Sequence, residues 1–165
     1  MTNTQISFTC FTGSKDFAKK FMQRHNIPTA RYASFESDQL AEAVQALDTF
    51  QAPYVIKADG LAAGKGVVVT EDRAAAAAHA AQCDRVVIEE FLDGPEVSLF
   101  AITDGTTVLA LQPAQDFKRA GDDDAGPNTG GMGAYSPLPW APPTLVADVT
   151  ERVLQPMVDA MRHRG

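Results

Sequence analysis

The feature that most constrains this chain is the sixteen-residue stretch 54–69, Tyr-Val-Ile-Lys-Ala-Asp-Gly-Leu-Ala-Ala-Gly-Lys-Gly-Val-Val-Val. Residues 53–57 and 66–70 are rich in β-branched and aromatic side chains, the types that suit a pleated, half-buried strand. Between them lie Gly60 and Gly64, with Gly66 opening the second run. Glycine allows positive φ and close approach of the backbone to another group. Two strands joined this closely form an antiparallel hairpin, because a parallel pair needs a crossover of a dozen or more residues.

Exposed N–H groups in such a loop can cradle anionic oxygens, and Lys57 and Lys65 add positive charge. A P-loop fits poorly. It needs four residues between its first glycine and Gly-Lys, whereas only 61–63 separate Gly60 from Gly64. Gly66 stands where a Ser or Thr would hold Mg²⁺, and a strand follows where a P-loop enters a helix. The reading is a flap able to close over a nucleoside triphosphate. The bland alternative is a glycine-rich turn with surface lysines.

The rest of the chain reads as helices first, then a hairpin-rich sheet, then a helix, an order that predicts an α+β fold. A helix is expected from Ser14, its N-cap, with Phe17, Phe21 and Met22 on one stripe, ending at Asn26 and Pro28. A second spans 37–50, capped by Ser37, with Leu40, Ala43, Val44 and Leu47 inward. The alanine-rich tract 73–81 is a third. Residues 85–91 form a further strand, and Asp104-Gly105 reads as a two-residue hairpin turn. The last helix starts near Thr144, with Val146, Val149, Val153, Met157 and Ala160 inward and Pro156 kinking it. Residues 113–143, dense in Gly, Pro and Asp, are too long for a plain connection and are read as functional.

Charge and composition exclude several classes. With 14 Lys+Arg against 21 Asp+Glu the formal charge is −7, which argues against nucleic-acid and anionic-membrane partners. No apolar run has the length of a membrane span, and the first residues lack the layout of a secretion signal. Cys10 and Cys83 have neither metal-ligand spacing nor the number of a disulfide framework, so a reducing, cytoplasmic setting is expected. Asp122-Asp123-Asp124 lacks the alternate spacing of a calcium loop.

Four blocks carry a resemblance: GSKDFAKKFM at 13–22, YVIKADGLAAGKGVVV at 54–69, VVIEEFLDGPEVS at 86–98 and AQDFKRAGDDDAGPNTGGMGAYSP at 114–137. In this order they resemble the ATP-grasp ligases, and more closely the phosphoribosylamine–glycine ligase (glycinamide ribonucleotide synthetase) family. The resemblance implies an ATP-grasp fold: an antiparallel sheet with a flap subdomain, plus part of the adjoining substrate-binding domain. The implied divisions are an unassigned segment 1–13, a helical start at 14–52, the flap at 53–92 and a partial substrate and catalytic part at 93–165.

The resemblance also implies roles. Lys57 would contact the ATP phosphates, with Gly60, Gly64, Lys65 and Gly66 in the closing flap. Glu89, Glu90 and Leu92 would lie along the adenine segment, and Glu96 would accept from the ribose hydroxyls. Asp116, Lys118, Arg119, Asn128, Thr129, Gly130, Gly131 and Met132 would serve glycine and 5-phosphoribosylamine. The bland alternative is that one of Glu89 and Glu90, which are adjacent and oppose each other across the strand, faces solvent, and that Glu96 is an exposed strand-end carboxylate. The implied activity is ATP-dependent formation of glycinamide ribonucleotide, ADP and phosphate through a glycyl phosphate, a step of purine biosynthesis.

Two departures stand out. Phe117 occupies a position where the family often has histidine, so no proton transfer can rest there. The 74–84 segment is shorter than the family's usual helix and loop. The family's N-terminal α/β domain has no counterpart before Gly13, and its Glu and Asn ligands for Mg²⁺ (or Mn²⁺) are expected beyond Gly165, with no metal site in this chain. A central fragment with little turnover of its own is therefore expected. A non-catalytic ATP-binding module and an inactive truncated product are the alternatives.

Overall fold

The computed structural model describes residues 13–60, 66–117, 119–122, 125–129 and 132–162. The chain divides into two compact units, Met1–Asp93 and Gly94–Gly165.

In the first unit, helix α1 (Lys15–Arg24) begins at Ser14, whose hydroxyl accepts the Phe17 N–H. Phe21 is buried on it, as expected of the apolar stripe, but so are Asp16 and Lys19. The helix unwinds through Asn26, which adopts φ 54°, a left-handed conformation that Asn tolerates better than most residues.

Strand β1 (Tyr32–Glu36) lies between the two expected helices, where the sequence reading assigns no element. It contains no β-branched residue, and its strand state comes from pairing with β4 (Arg85–Glu89), antiparallel from Tyr32↔Glu89 to Glu36↔Arg85. The helix expected over 37–50 is present in three parts: 3₁₀ turns at Ser37–Gln39 and Leu47–Thr49 flank helix α2 (Leu40–Ala46). Its N-cap is Glu36 rather than Ser37, in a reciprocal capping box with Gln39. Ala43 and Leu47 are buried as expected, whereas Leu40 is exposed. The change from three residues per turn to 3.6 rotates the apolar stripe, so positions counted on a uniform helix drift off the core.

Strands β2 (Tyr54–Ala58) and β3 (Val67–Thr70) form the expected antiparallel hairpin. Helix α3 (Arg73–Ala80) follows, capped by Asp72, which accepts the Ala74 N–H. Strand β4 stops at Glu89, short of residue 91. The sheet order is β1-β4-β2-β3, with every pairing antiparallel.

Side chains alternate across a sheet, and paired residues share a face. One face carries Ile56, Val86 and Ile88, which form the core cluster with Ala43, Leu47, Phe50, Ala76 and Ala80. Alanines on α3 carry little side-chain bulk, so this helix can pack close to the strands. The opposite face carries Val55, Lys57, Val87 and Glu89 in paired register.

In the second unit, strands β5 (Ala101–Thr103) and β6 (Val108–Ala110) pair as a hairpin. The turn between them differs from the two-residue type. Thr103 pairs with Val108, leaving residues 104–107 as the loop, and the Asp104 carboxylate accepts the N–H groups of Thr106 and Thr107. Asp104 thus acts through its side chain, mimicking a backbone turn. Beyond the Ser98↔Ala114 bridge, β7 (Gln115–Asp116) pairs with β10 (Ala134–Tyr135), and β8 (Arg119–Gly121) with β9 (Ala125–Asn128).

The final helical region comprises α4 (Leu145–Val149), a wide π turn (Thr150–Leu154) and α5 (Gln155–Arg162). Pro156 sits at the second residue of α5, with the irregularity just upstream. A proline cannot donate to the preceding turn, and the wider turn accommodates its ring. Val158 and Ala160 are buried, while Val149, Val153 and Met157 are half-buried.

Candidate functional site

The base of the β2–β3 hairpin is fixed by paired strands. Lys57 pairs with Val67, and the Ala58 N–H donates to the Gly66 carbonyl at 2.6 Å, closing the mouth of the glycine-rich connection. Gly66 is buried. Gly60 adopts φ +91°, a conformation that a side chain would strain. Gly64 and Lys65 lie outside the described residues.

The N-terminus of α1 is docked on this mouth. Asp59 accepts the Ser14 hydroxyl at 2.9 Å and the backbone N–H groups of Lys15 and Asp16, so a carboxylate meets the free donors and positive dipole end of the helix. Burial raises the Asp59 carboxyl, but the Ser14 hydroxyl and the N–H groups of Asp16, Lys15 and Gly60 outweigh it and hold it below the ordinary aspartate range. The Lys15 ammonium donates to the carbonyls of Ala58 at 2.9 Å and Gly60 at 2.7 Å. Helix and loop entrance are thereby one rigid piece.

Beside it lies a buried ion cluster. Glu89, with a side chain 7% exposed, accepts a hydrogen bond from Lys57 on Oε2 and is ion-paired with Lys19 on the same oxygen, each at 3.0 Å. The Lys19 ammonium also donates to the Thr29 hydroxyl at 2.8 Å and the Ala30 carbonyl at 3.2 Å, and lies 5.7 Å from the centre of the Tyr32 ring. Two lysines and one carboxylate leave one surplus positive charge next to the glycine loop. Such a surplus suits an anionic ligand.

The sequence-predicted residues are distributed as follows. Lys57, Gly60, Gly66 and Glu89 come together at the hairpin base. Glu90 follows on the strand end: its backbone N–H donates to the Arg31 carbonyl at 3.0 Å, and its carboxylate accepts the Arg31 N–H at 2.7 Å. Glu90 is thereby tied to the start of β1. Leu92 is exposed beyond it.

In the second unit, Glu96 is exposed ahead of the Ser98 bridge. Asp116 pairs with Ala134, half-buried, and Phe117 exchanges backbone hydrogen bonds with Gly133 and Met132. The Phe117 ring stacks on Tyr135 with centroids 5.4 Å apart, and the Tyr135 hydroxyl donates to Gln115 and accepts from Trp140, both at 2.7 Å. Phenylalanine at 117 therefore serves packing of the ribbon. Thr129 and Met132 are exposed. Arg119 and Asn128 pair across β8 and β9 by backbone, and Lys118, Gly130 and Gly131 lie outside the described residues.

Sequence reasoning missed Lys15, Lys19 and Asp59. The one available signal was the pair Asp16 and Lys19, charges set on the same helix as Phe17 and Phe21. Lys19's carboxylate partner, Glu89, lies on the distant strand β4. Cys83 donates to the His79 carbonyl at 3.3 Å, and burial followed by the Asp84 charge pushes its thiol pKa up, consistent with an inert role.

Comparison with solved structures defines the class first. The chain superposes on D-alanyl-alanine synthetase A from Vibrio cholerae with a TM-score of 0.71 at 12% identity, covering 94% of this chain and 49% of that one, a likeness of fold alone. With phosphoribosylamine–glycine ligase from Thermotoga maritima the TM-score is 0.84 at 34% identity, over 95% of this chain and 42% of that one. The fold is an ATP-grasp fold.

Residues 13–165 match the family described as phosphoribosylglycinamide synthetase, ATP-grasp (A) domain, and the chain belongs to that ATP-using family. It is 68% identical over 153 residues to phosphoribosylamine–glycine ligase from Streptomyces coelicolor and 62% identical over 149 residues to that from Leifsonia xyli. These alignments cover 93% and 88% of this chain, and it spans about a third of the length of either relative (36% and 35%).

Proposed function

We propose that this chain carries the nucleotide-binding part of a phosphoribosylamine–glycine ligase, joining glycine to 5-phosphoribosylamine to give glycinamide ribonucleotide, ADP and phosphate. The observation that carries the reading is Lys57: a lysine on the sheet face opposite the core, at the base of a glycine-rich hairpin, in a cluster with surplus positive charge. In this reading Lys57 meets the phosphates of ATP, while Gly60, Gly64, Lys65 and Gly66 form the loop that closes over them. The segment from Glu89 to Leu92 borders adenine and Glu96 accepts from ribose. Asp116 offers a carboxylate to an amine, and Lys118 and Arg119 offer cations to phosphate or carboxylate groups. Asn128 to Met132 supplies polar side chains and backbone donors for glycine and phosphoribosylamine. The setting is the cytoplasm, the partners are small molecules, and neither nucleic acid nor membrane takes part.

Glycine's carboxylate must be activated before an amine can attack it. Transfer of a phosphoryl group to that carboxylate makes glycyl phosphate, and attack by the amine on its carbonyl releases phosphate. This chain's contribution is to orient the phosphates by loop donors and lysine charge and to exclude water. When bound, Mg²⁺ supplies charge neutralisation at the transferring phosphates. Among the described residues no three His, Cys, Asp or Glu side chains form a ligand group. No helix among them is long and apolar enough to cross a membrane.

Isothermal titration of the 165-residue chain with ATP tests the reading. Saturable binding is expected, weakened about tenfold or more in Lys57→Met, as for loss of a charged contact of about 1.4 kcal/mol. Absence of binding, or equal binding by the variant, overturns it. An assay of glycine-dependent ADP release, run alongside, reports whether these residues also carry turnover.

A further inference from the structure

We propose that Lys19 is a positioning residue: the fixed counter-charge of Glu89 that frees Lys57 to leave Glu89 for an anionic ligand. The inference rests on the reading of Lys57 as a phosphate contact and adds how that lysine is made available.

The two lysines that share Glu89 Oε2 are held differently. Lys19 donates to the Thr29 hydroxyl and the Ala30 carbonyl and is ion-paired with Glu89, and its side chain is 9% exposed. Two hydrogen-bond acceptors besides the Glu89 carboxylate hold this ammonium in place. Lys57 is 27% exposed, and Glu89 is its hydrogen-bond and ion-pair partner among the described residues. It extends from β2 next to the mouth of the glycine loop. One cation is anchored, and the other is poised.

Charge bookkeeping explains why both are present. Glu89 is buried, and a buried carboxylate stripped of its counter-ion is strongly unfavourable. Were Lys57 the sole partner, its transfer to a phosphate would leave that carboxylate bare, and the cost would be subtracted from ligand affinity. With Lys19 fixed on the same oxygen, Glu89 stays neutralised after Lys57 departs. The like-charge proximity of the two ammonium groups also loosens Lys57 before any ligand arrives. Glu89 in turn keeps Lys57 aimed before a ligand arrives. The pair exchange is thus nearly balanced, as a site that must bind and release a nucleotide requires.

The test measures dissociation constants of the 165-residue chain for ATP and for adenosine, which lacks phosphates, in the wild type, Lys19→Met, Glu89→Gln and the double variant. Lys19→Met is expected to weaken ATP about tenfold, about 1.4 kcal/mol, with adenosine changed less than about twofold. Adding Glu89→Gln to Lys19→Met is expected to restore most of the ATP preference over adenosine, because no bare carboxylate then retains Lys57. Lys19→Arg keeps the charge and is expected to hold the preference within about threefold of wild type; it carries the test if Lys19→Met does not fold. Equal loss of ATP and adenosine in Lys19→Met, or no recovery in the double variant, overturns the proposal and leaves Lys19 a structural residue. So does loss of the preference in Lys19→Arg. An unchanged ATP-to-adenosine ratio in Lys19→Met overturns it while the ATP reading stands. A wild-type chain that binds no ATP overturns both.

Discussion

The two faces of the four-stranded sheet are built from the same strands and do opposite work. On the core face, Ile56 and Ile88 are fully buried against Leu47, Ala43 and Ala76, so that face is apolar throughout and its worth is measured in stability. On the opposite face, Lys57 and Glu89 stand among Val55 and Val87, and the edge residues Val67 and Val69 are 44% and 53% exposed. Charges held there stabilise little, because desolvation offsets much of their attraction. The lesson is that strand alternation puts the apolar core side chains of β2 and β4 on one face and Lys57 and Glu89 on the other.

The comparison is open to attack at several points. The largest expected effect is Ile88→Ala on the core face, which should cost about 2–5 kcal/mol in urea denaturation by opening a cavity against α2 and α3. A loss below 1 kcal/mol, on the order of a surface change, would break the assignment of that face as the core.

Next comes Asp59→Asn, which weakens the carboxylate cap on α1 at the edge of the functional face. A loss of about 0.5–2 kcal/mol is expected, the range for removing a helix cap. The pH dependence carries a sign. Asp59 titrates below its unfolded value, so its contribution is complete above the ordinary aspartate pKa of about 3.9 and fades as pH falls through the lower folded value. Denaturation curves of wild type and Asp59→Asn should therefore differ at neutral pH and converge under strong acid. A gap that persists or widens in acid would show that Asp59 acts by shape rather than charge.

The smallest effect is expected at Val69→Thr on the open edge of the functional face, within about 0.5 kcal/mol of wild type. A thermal scan showing a large drop in Tm would mean that this edge is covered and that the contrast between the faces is overstated.

The hairpin around the glycine loop was legible from residues alone, because β-branched runs and glycines act locally. So was the start of α1, since Ser14 caps the helix that follows it. The capping box at Glu36 and Gln39 is equally local, yet Ser37, a commoner cap residue, gives the stronger sequence signal one position away. The Asp104 turn was located correctly and its form was not, because the side chain competes with the backbone for the same N–H groups. Strand β1 gave no local signal. Its residues are ordinary, and only the edge of β4 makes them a strand.

The Lys19–Glu89–Lys57 cluster was illegible for a related reason. Each member reads singly as a surface charge on a helix or strand, and the resemblance pointed to Lys57 and Glu89 without linking them. Lys19 becomes informative only when α1 is laid against the sheet.

By itself, then, the amino-acid sequence determined the elements with strong local preferences, the antiparallel glycine-rich hairpin above all, and the family to which residues 13–165 belong. Tertiary structure decided which charges are buried together, that Lys19 and Lys57 meet on one carboxylate, and that Asp59 clasps the start of a helix more than forty residues before it. The physical reason is range. Propensities and caps act within a few residues, whereas burial and ion pairing depend on neighbours that only the folded chain supplies.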